Sequence, residues 1–167
     1  ANNLVGTMPS EIGDLPELQF LGMERGILTS TIPTEIGKLT KLVFLDLDFN
    51  AMTGTLPQEL FSLQTLRQLD LNDNQFTGTI EGITGFPRMQ FLQFHNNDFT
   101  GTVPQAVGTY VDLVAFTLHG TEITGTMPAS VCDLLLSNGG DLRDLIADCG
   151  GSNPDIECTC CTVCLAG

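Results

Sequence analysis

The sequence predicts an α/β solenoid, one small unit of strand and turn wound repeatedly around a common axis. Three observations carry this. The stretch Leu42 to Leu63, LVFLDLDFNAMTGTLPQELFSL, places apolar residues at Leu42, Leu45, Leu47, Met52, Leu56, Leu60 and Leu63, with Asn50 and Gly54 between them. The pattern returns twenty-four residues on, at Leu66, Leu69, Leu71, Asn74, Phe76, Gly78 and Ile80, and twenty-four residues earlier, at Leu18, Leu21, Met23, Gly26, Leu28, Ser30 and Ile32. Each unit opens on LxxLxL, whose alternation reads as a short strand, and four of the turns behind it open at Pro33, Pro57, Pro104 and Pro128.

The first unit is incomplete. Asn2, Leu4, Gly6, Met8, Pro9, Ile12 and Leu15 supply its second half without a preceding strand. Leu4, Met8, Ile12 and Leu15 are therefore expected to form an apolar end. With no initiator Met and no signal-peptide pattern, the natural chain is expected to continue upstream. Five further units open at Leu18, Leu42, Leu66, Met89 and Leu113. Their polar column reads Gly26, Asn50, Asn74, Asn97 and Thr121, where a buried amide is expected to bond backbone of its own and the neighbouring coil. The fourth unit is one residue short, because Ile80 runs into Glu81-Gly82-Ile83 without a proline. That loss lies behind the strand, in the tolerant part of the coil. The solenoid is assigned to residues 1–131 and a final strand with a cysteine-rich cap to residues 132–167. In the cap, Asp133 to Gly140 breaks the pattern and Leu142, Leu145 and Ala147 restore one last strand.

Twenty Asp and Glu against six Lys and Arg give a net charge of -14, which disfavours nucleic acid and anionic membranes as partners. No apolar run reaches the roughly 20 residues of a spanning helix, so no direct membrane insertion is expected of this segment. All six cysteines, Cys132, Cys149, Cys158, Cys160, Cys161 and Cys164, fall in the last fifth of the chain, which points to disulfides and an oxidising compartment. Their pairing is open, except that a bridge between adjacent Cys160 and Cys161 is disfavoured. A structural zinc site on Cys158, Cys160, Cys161 and Cys164 is the less favoured reading, since no His lies nearby.

The consensus LxxLxLxxNxLTGTIPxxIGxL resembles the plant-type leucine-rich repeat of receptor-kinase ectodomains and polygalacturonase-inhibiting proteins. The ending Leu145-Ile146-Ala147-Asp148-Cys149-Gly150 … Ile156-Glu157-Cys158-Thr159-Cys160-Cys161-Thr162 resembles the C-terminal cap of extracellular leucine-rich-repeat proteins of diatoms and related algae. The resemblance implies a curved right-handed superhelix with a parallel concave sheet, a short second sheet, a helical or irregular convex side, secretion, and recognition instead of catalysis. One departure is that no Asn is followed by x-Ser or x-Thr, so no N-glycan is expected.

Outward positions of successive strands form columns on the concave face. One column reads Glu24, Asp48, Asn72, His95, His119 and Asp148; its neighbour reads Gly22, Asp46, Asp70, Gln93, Thr117 and Ile146, with Asp73 nearby. Phe20, Phe44 and Phe91, interrupted by Gln68, flank them. Aromatic anchors beside carboxylates suit a basic, partly apolar protein, and a glycan is the other ligand class considered. Asp46, Asp48, Asp70 and Asp73 are weighed as a Ca²⁺ site and set aside, because flat strands rarely supply the six to eight oxygens it takes. His95 and His119, in one column of adjacent coils, are weighed as a transition-metal or pH-sensitive pair, a role exposed histidines seldom have. No catalytic residue, resident metal or cofactor is assigned, because no Ser or Cys nucleophile is aimed at either His.

One flank is more regular than the fold requires. Thr31, Thr55, Thr79, Thr102 and Thr126, with Thr7 before them, repeat in every coil, and Thr29, Thr53, Thr77, Thr100 and Thr124 stand two residues earlier. Period-two spacing predicts that both columns face outward. Such T-x-T arrays resemble the ice-binding faces of some insect antifreeze proteins, although β-branched Thr also simply suits a strand. The sequence thus predicts a non-catalytic, extracellular recognition or adhesion scaffold for a protein or glycan, with an ice-binding protein or an inhibitor of a secreted hydrolase as alternatives.

Overall fold

Leu45 and Leu47 turn inward because a strand sends alternate side chains to opposite faces, and every unit repeats that choice. The computed structural model describes residues 4–135, 138–152 and 154–166; Asn2 and the Leu136-Ser137 break lie outside these. The opening segments form strands Phe20–Gly22, Phe44–Asp46, Gln68–Asp70, Phe91–Gln93, Ala115–Thr117 and Asp144–Ala147. With Val163–Cys164 beyond them, they make one seven-stranded parallel sheet. Phe20, Phe44, Gln68, Phe91, Ala115 and Asp144 stand side by side across it.

A second parallel sheet of six strands, from Val5–Gly6 to Glu122–Ile123, runs along the flank. Gly125–Thr126 pairs separately with Ile156–Glu157 of the cap. Behind the sheets lie 3-10 turns at Ser10–Asp14, Thr34–Lys38, Gln58–Ser62 and Gln105–Thr109, and a short α-helix at Ala129–Cys132. Each follows a proline at the capping position just before the turn, extended at Pro9, Pro33, Pro57 and Pro104, where its missing N–H costs no turn hydrogen bond. The leucine columns, Leu45, Leu69, Leu92 and Leu145 among them, are fully buried. At the first coil, Leu4 and Leu15 are exposed as expected. Met8 and Ile12 are not: both are buried in the same continuous core.

Three asparagines tie coil to coil. Asn74 Oδ1 accepts from Met52 N at 2.9 Å, and its Nδ2 donates to Leu47 O, Leu71 O and Asn72 O. Asn50 and Asn97 repeat this arrangement. Thr121 keeps only part of it, bonding Leu118 O at 2.7 Å. Asp148, expected to face outward, instead turns inward and is 3% exposed, its Oδ2 accepting from Gly120 N at 2.7 Å.

The short fourth coil is patched from both neighbours. Phe61, Phe86 and Tyr110, one from each of three successive coils, run in tilted contact at 6.2 and 6.4 Å between ring centres. The Tyr110 hydroxyl donates to the Ile83 carbonyl, which a regular turn would otherwise have engaged. A Cβ at Gly85 would lie 2.0 Å from the Phe61 carbonyl oxygen, so the shortened backbone lies directly on its neighbour. Glycine permits that approach because it has no side chain.

Candidate functional site

The concave face inherits its order from the sheet register. Asp46 stands beside Asp70 and Gly22, and Asp70 stands beside Gln93, which continues to Thr117. Part of this column is buried. Asp70 is 6% exposed, with its two oxygens held by Gln68 Nε2 at 2.6 Å and Gln93 Nε2 at 2.9 Å; Asn72 and Thr117 are buried as well. Asp46 and Asp48 stay half-exposed, and Asp46 Oδ1 accepts from Asp48 N at 3.0 Å. Asp48 Oδ1 is buried without a hydrogen-bond partner.

These carboxylates crowd one another in a partly dry site. Burial, and then the Asp46 charge, push Asp48 up to about 6; burial pushes Asp70 up to about 6 against the pull of Gln68. Asp46 also rises, chiefly through burial, with Glu24 adding to it. A nearby cation would relieve this cost. Phe20 lies next to the cluster, 67% exposed, its ring 6.4 Å from that of half-buried Phe44. Phe91 is also half-buried, two strands along. Glu24 is half-buried near the same end.

Toward the other end, Asp73, His95 and His119 follow one another. The imidazoles stack, with ring centres 4.5 Å apart and planes 13° from parallel. His95 Nδ1 meets the Thr117 hydroxyl at 2.8 Å, and its Nε2 lies 3.8 Å from Asp73 Oδ2. Asp73 is held by Asn72 Nδ2 at 2.9 Å and Asn96 Nδ2 at 2.8 Å. Burial and the second imidazole hold the His95 pKa below its usual value, against the pull of Asp73. Sequence reasoning missed the Thr117 hydroxyl beside His95. The arrangement is a poor nucleophile and base all the same, since Thr117 is buried and the carboxylate is beyond hydrogen-bond reach of the ring.

On the flank both Thr columns face solvent, with Thr100 half-buried. The reason differs from simple alternation. The residue between the two Thr has positive φ, as at Ser30 (98°), Gly54 (79°), Gly78 (79°), Gly101 (87°) and Gly125 (96°). The methyl groups of Thr31, Thr55, Thr79 and Thr102 would lie 2.6, 2.7, 3.1 and 3.3 Å from a Cβ on the next coil's glycine. The ladder is thus locked coil by coil. Beside it run two grooves that share Glu81: one of about 500 Å³ near Thr55 and Thr79, and one of about 590 Å³ near Thr102 and Thr126. In the cap, the bridges are Cys132–Cys160, Cys149–Cys164 and Cys158–Cys161. Cys149, Cys158 and Cys161 sulfurs cluster within 4.8 Å of one another, but all are consumed by these bonds.

The family profile for the Leucine Rich Repeat matches residues 41–63 and 65–86. The ectodomain of the Arabidopsis thaliana receptor kinase SOBIR1 is 30% identical over 74% of this chain and 67% of that one, with a TM-score of 0.71. This chain belongs to the leucine-rich-repeat family. The leucine-rich-repeat solenoid also aligns with the plant peptide hormone receptor RGFR1, solved in complex with RGF2, at 33% identity over 80% of this chain (TM-score 0.78). It spans only 22% of that receptor's length. A plant ice-binding protein is 27% identical over 93% of this chain and 47% of that one, with a TM-score of 0.76. No curated protein matches the sequence.

Proposed function

We propose that this leucine-rich-repeat chain is an extracellular, non-catalytic scaffold whose concave face binds a basic, partly apolar protein or peptide. The observation that carries the reading is the pairing of Phe20 with crowded Asp46 and Asp48, whose desolvated charges a cationic side chain would relieve. Three disulfides accord with an oxidising exterior. RGFR1, which shares the fold and a third of aligned residues, was solved with its hormone. The site comprises Phe20, Glu24, Phe44, Asp46, Asp48 and Asp70 at one end, and Asp73, Phe91, His95 and His119 at the other. The test is surface-plasmon binding of a panel of synthetic peptides carrying Arg or Lys next to an apolar residue. Binding should weaken at least about tenfold in Phe20→Ala and in Asp48→Asn, since such anchors are worth more than 1 kcal/mol each. Equal binding of acidic and basic peptides, or indifference to both substitutions, would refute it.

A second reading, ice binding by the Thr ladder, is favoured by one specific observation. The ladder is exposed, uncharged and fixed in register, and the plant ice-binding protein shares the fold. Thermal hysteresis and ice recrystallisation inhibition measure it directly. Thr55→Tyr with Thr79→Tyr should abolish both effects, and an unmutated protein without either ends this reading.

A further inference from the structure

We propose that His95 and His119, with Asp73 beside them, form a binding site for a divalent transition ion such as Zn²⁺ or Cu²⁺. These residues also lie at one end of the concave face proposed for the peptide, but ion binding does not require that reading. Three observations converge. The His95 Nε2 to Asp73 Oδ2 distance of 3.8 Å is too long for a hydrogen bond. It is close to the roughly 3.3 Å that separates two ligand atoms sharing one tetrahedral ion at about 2.0 Å. Each of these two ligands is also already oriented from behind. Thr117 engages the opposite nitrogen of His95, and Asn96 Nδ2 grips the opposite oxygen of Asp73, while Asn72 Nδ2 bonds the facing Oδ2 itself. Supporting bonds of this kind fix tautomer and aim in metal sites. Finally, His119 Nδ1 is buried with no hydrogen-bond partner, a nitrogen the fold itself does not use.

The chemistry selects the ion. Imidazole nitrogens favour Zn²⁺, Cu²⁺ or Ni²⁺, whereas Ca²⁺ and Mg²⁺ take oxygen ligands. The three groups do not yet converge on a point: the one trio of such ligand atoms within 4.8 Å among the described residues is the disulfide-bonded cysteine cluster. Capture therefore needs the His119 ring to leave its stack and turn its edge toward the edge of His95. The residue is half-exposed, and its buried Nδ1 reaches the ion only through that rotation. Two imidazoles and one carboxylate leave a fourth position open, for water or for a side chain of a partner on the concave face.

The test uses the full disulfide-bonded chain, treated with chelator, dialysed and titrated calorimetrically with ZnCl₂ and separately with CaCl₂. The expected result is one Zn²⁺ per chain, undisturbed by Ca²⁺. Affinity should fall at least tenfold in His95→Gln and in His119→Gln, and roughly 10–100-fold in Thr117→Val, whose side chain only orients a ligand. Imidazole ¹⁵N shifts of both histidines should move with the same stoichiometry, which reports ligation even if a variant folds poorly. Absence of Zn²⁺ binding overturns the proposal. So does binding that both His variants leave unchanged, because the ion would then sit on the Asp46–Asp70 carboxylates.

Discussion

Asn74→Ala removes a side chain that holds two coils together. Its Oδ1 is the acceptor for Met52 N, and its Nδ2 is a donor to Leu47 O of the preceding coil. Met52 and Leu47 are both fully buried, so water does not replace what is lost. Met52 N is left without a partner, whereas Leu47 O keeps Asn50 Nδ2 as a donor at 3.1 Å; one stranded buried donor costs about 1–3 kcal/mol. The two bonds within the coil add little, since Leu71 O keeps Asn97 Nδ2 and Asn72 O keeps Phe49 N as donors. Urea unfolding followed by far-UV circular dichroism measures the change, with Thr121→Ala as the comparison. Thr121 makes its main side-chain bond inside its own coil, so its loss should cost about 1 kcal/mol. A midpoint for Asn74→Ala within experimental error of the unmutated chain, or no worse than Thr121→Ala, would show that the asparagine column is decorative.

Tyr110→Phe should destabilise the chain by about 1–3 kcal/mol, because it leaves the Ile83 carbonyl unpaired in the aromatic patch; an unchanged melting temperature would mean that another donor reaches it. Gly78→Ala combines a strained φ of 79° with a Cβ 2.7 Å from the Thr55 methyl, whereas Gly139 has a φ of 92° and open space around it. Both alanines should cost about 1 kcal/mol of backbone strain, but Gly78→Ala should cost visibly more, and equal melting temperatures would contradict the methyl-on-glycine contact. Asp48 offers a pH test. Its pKa of about 6 lies above the ordinary 3.8, so the folded state holds the proton more tightly than the unfolded chain does. That contribution is complete below 3.8 and is lost as pH rises through 6. Asp48→Asn should therefore raise the melting temperature at neutral pH and change it little near pH 4, and the opposite order would reverse the argument.

Much of the fold was legible because each coil solves the same local problem. Leu45 and Leu47 announce an inward face by their spacing, Pro57 announces a turn, and Asn50 announces a buried amide. What escaped depended on contacts between coils that differ from one another. Phe61, Phe86 and Tyr110 lie in separate units, and nothing in any one unit shows that three rings meet behind the short coil. The disulfide partners escaped for the same reason, since pairing follows from how the cap folds over the last strand. The concave columns were correctly ordered, but their exposure was not. Burial of Asp70, Thr117 and Asp148 comes from neighbouring glutamines, an imidazole and a backbone N–H, not from their place in the strand. Positive φ at Gly54 and Gly78 likewise made the Thr flank a series of interlocked steps where alternation alone suggested a plain strand.

The cap has a mechanical consequence. Cys132–Cys160 spans 28 residues and Cys149–Cys164 spans 15, so covalent bonds fasten the last strands of the sheet to the end of the chain. Tension applied across the described residues would meet covalent clips on the cap side and only hydrogen bonds and apolar packing on the other. Among the described residues, rupture would begin at Val5–Gly6, which pairs there with Ile27–Leu28 alone, and would travel toward the cap. Each coil that came free would release about 24 residues, roughly 80 Å of extended chain. Such a molecule would yield in equal increments from one direction, like tape drawn off a fixed spool.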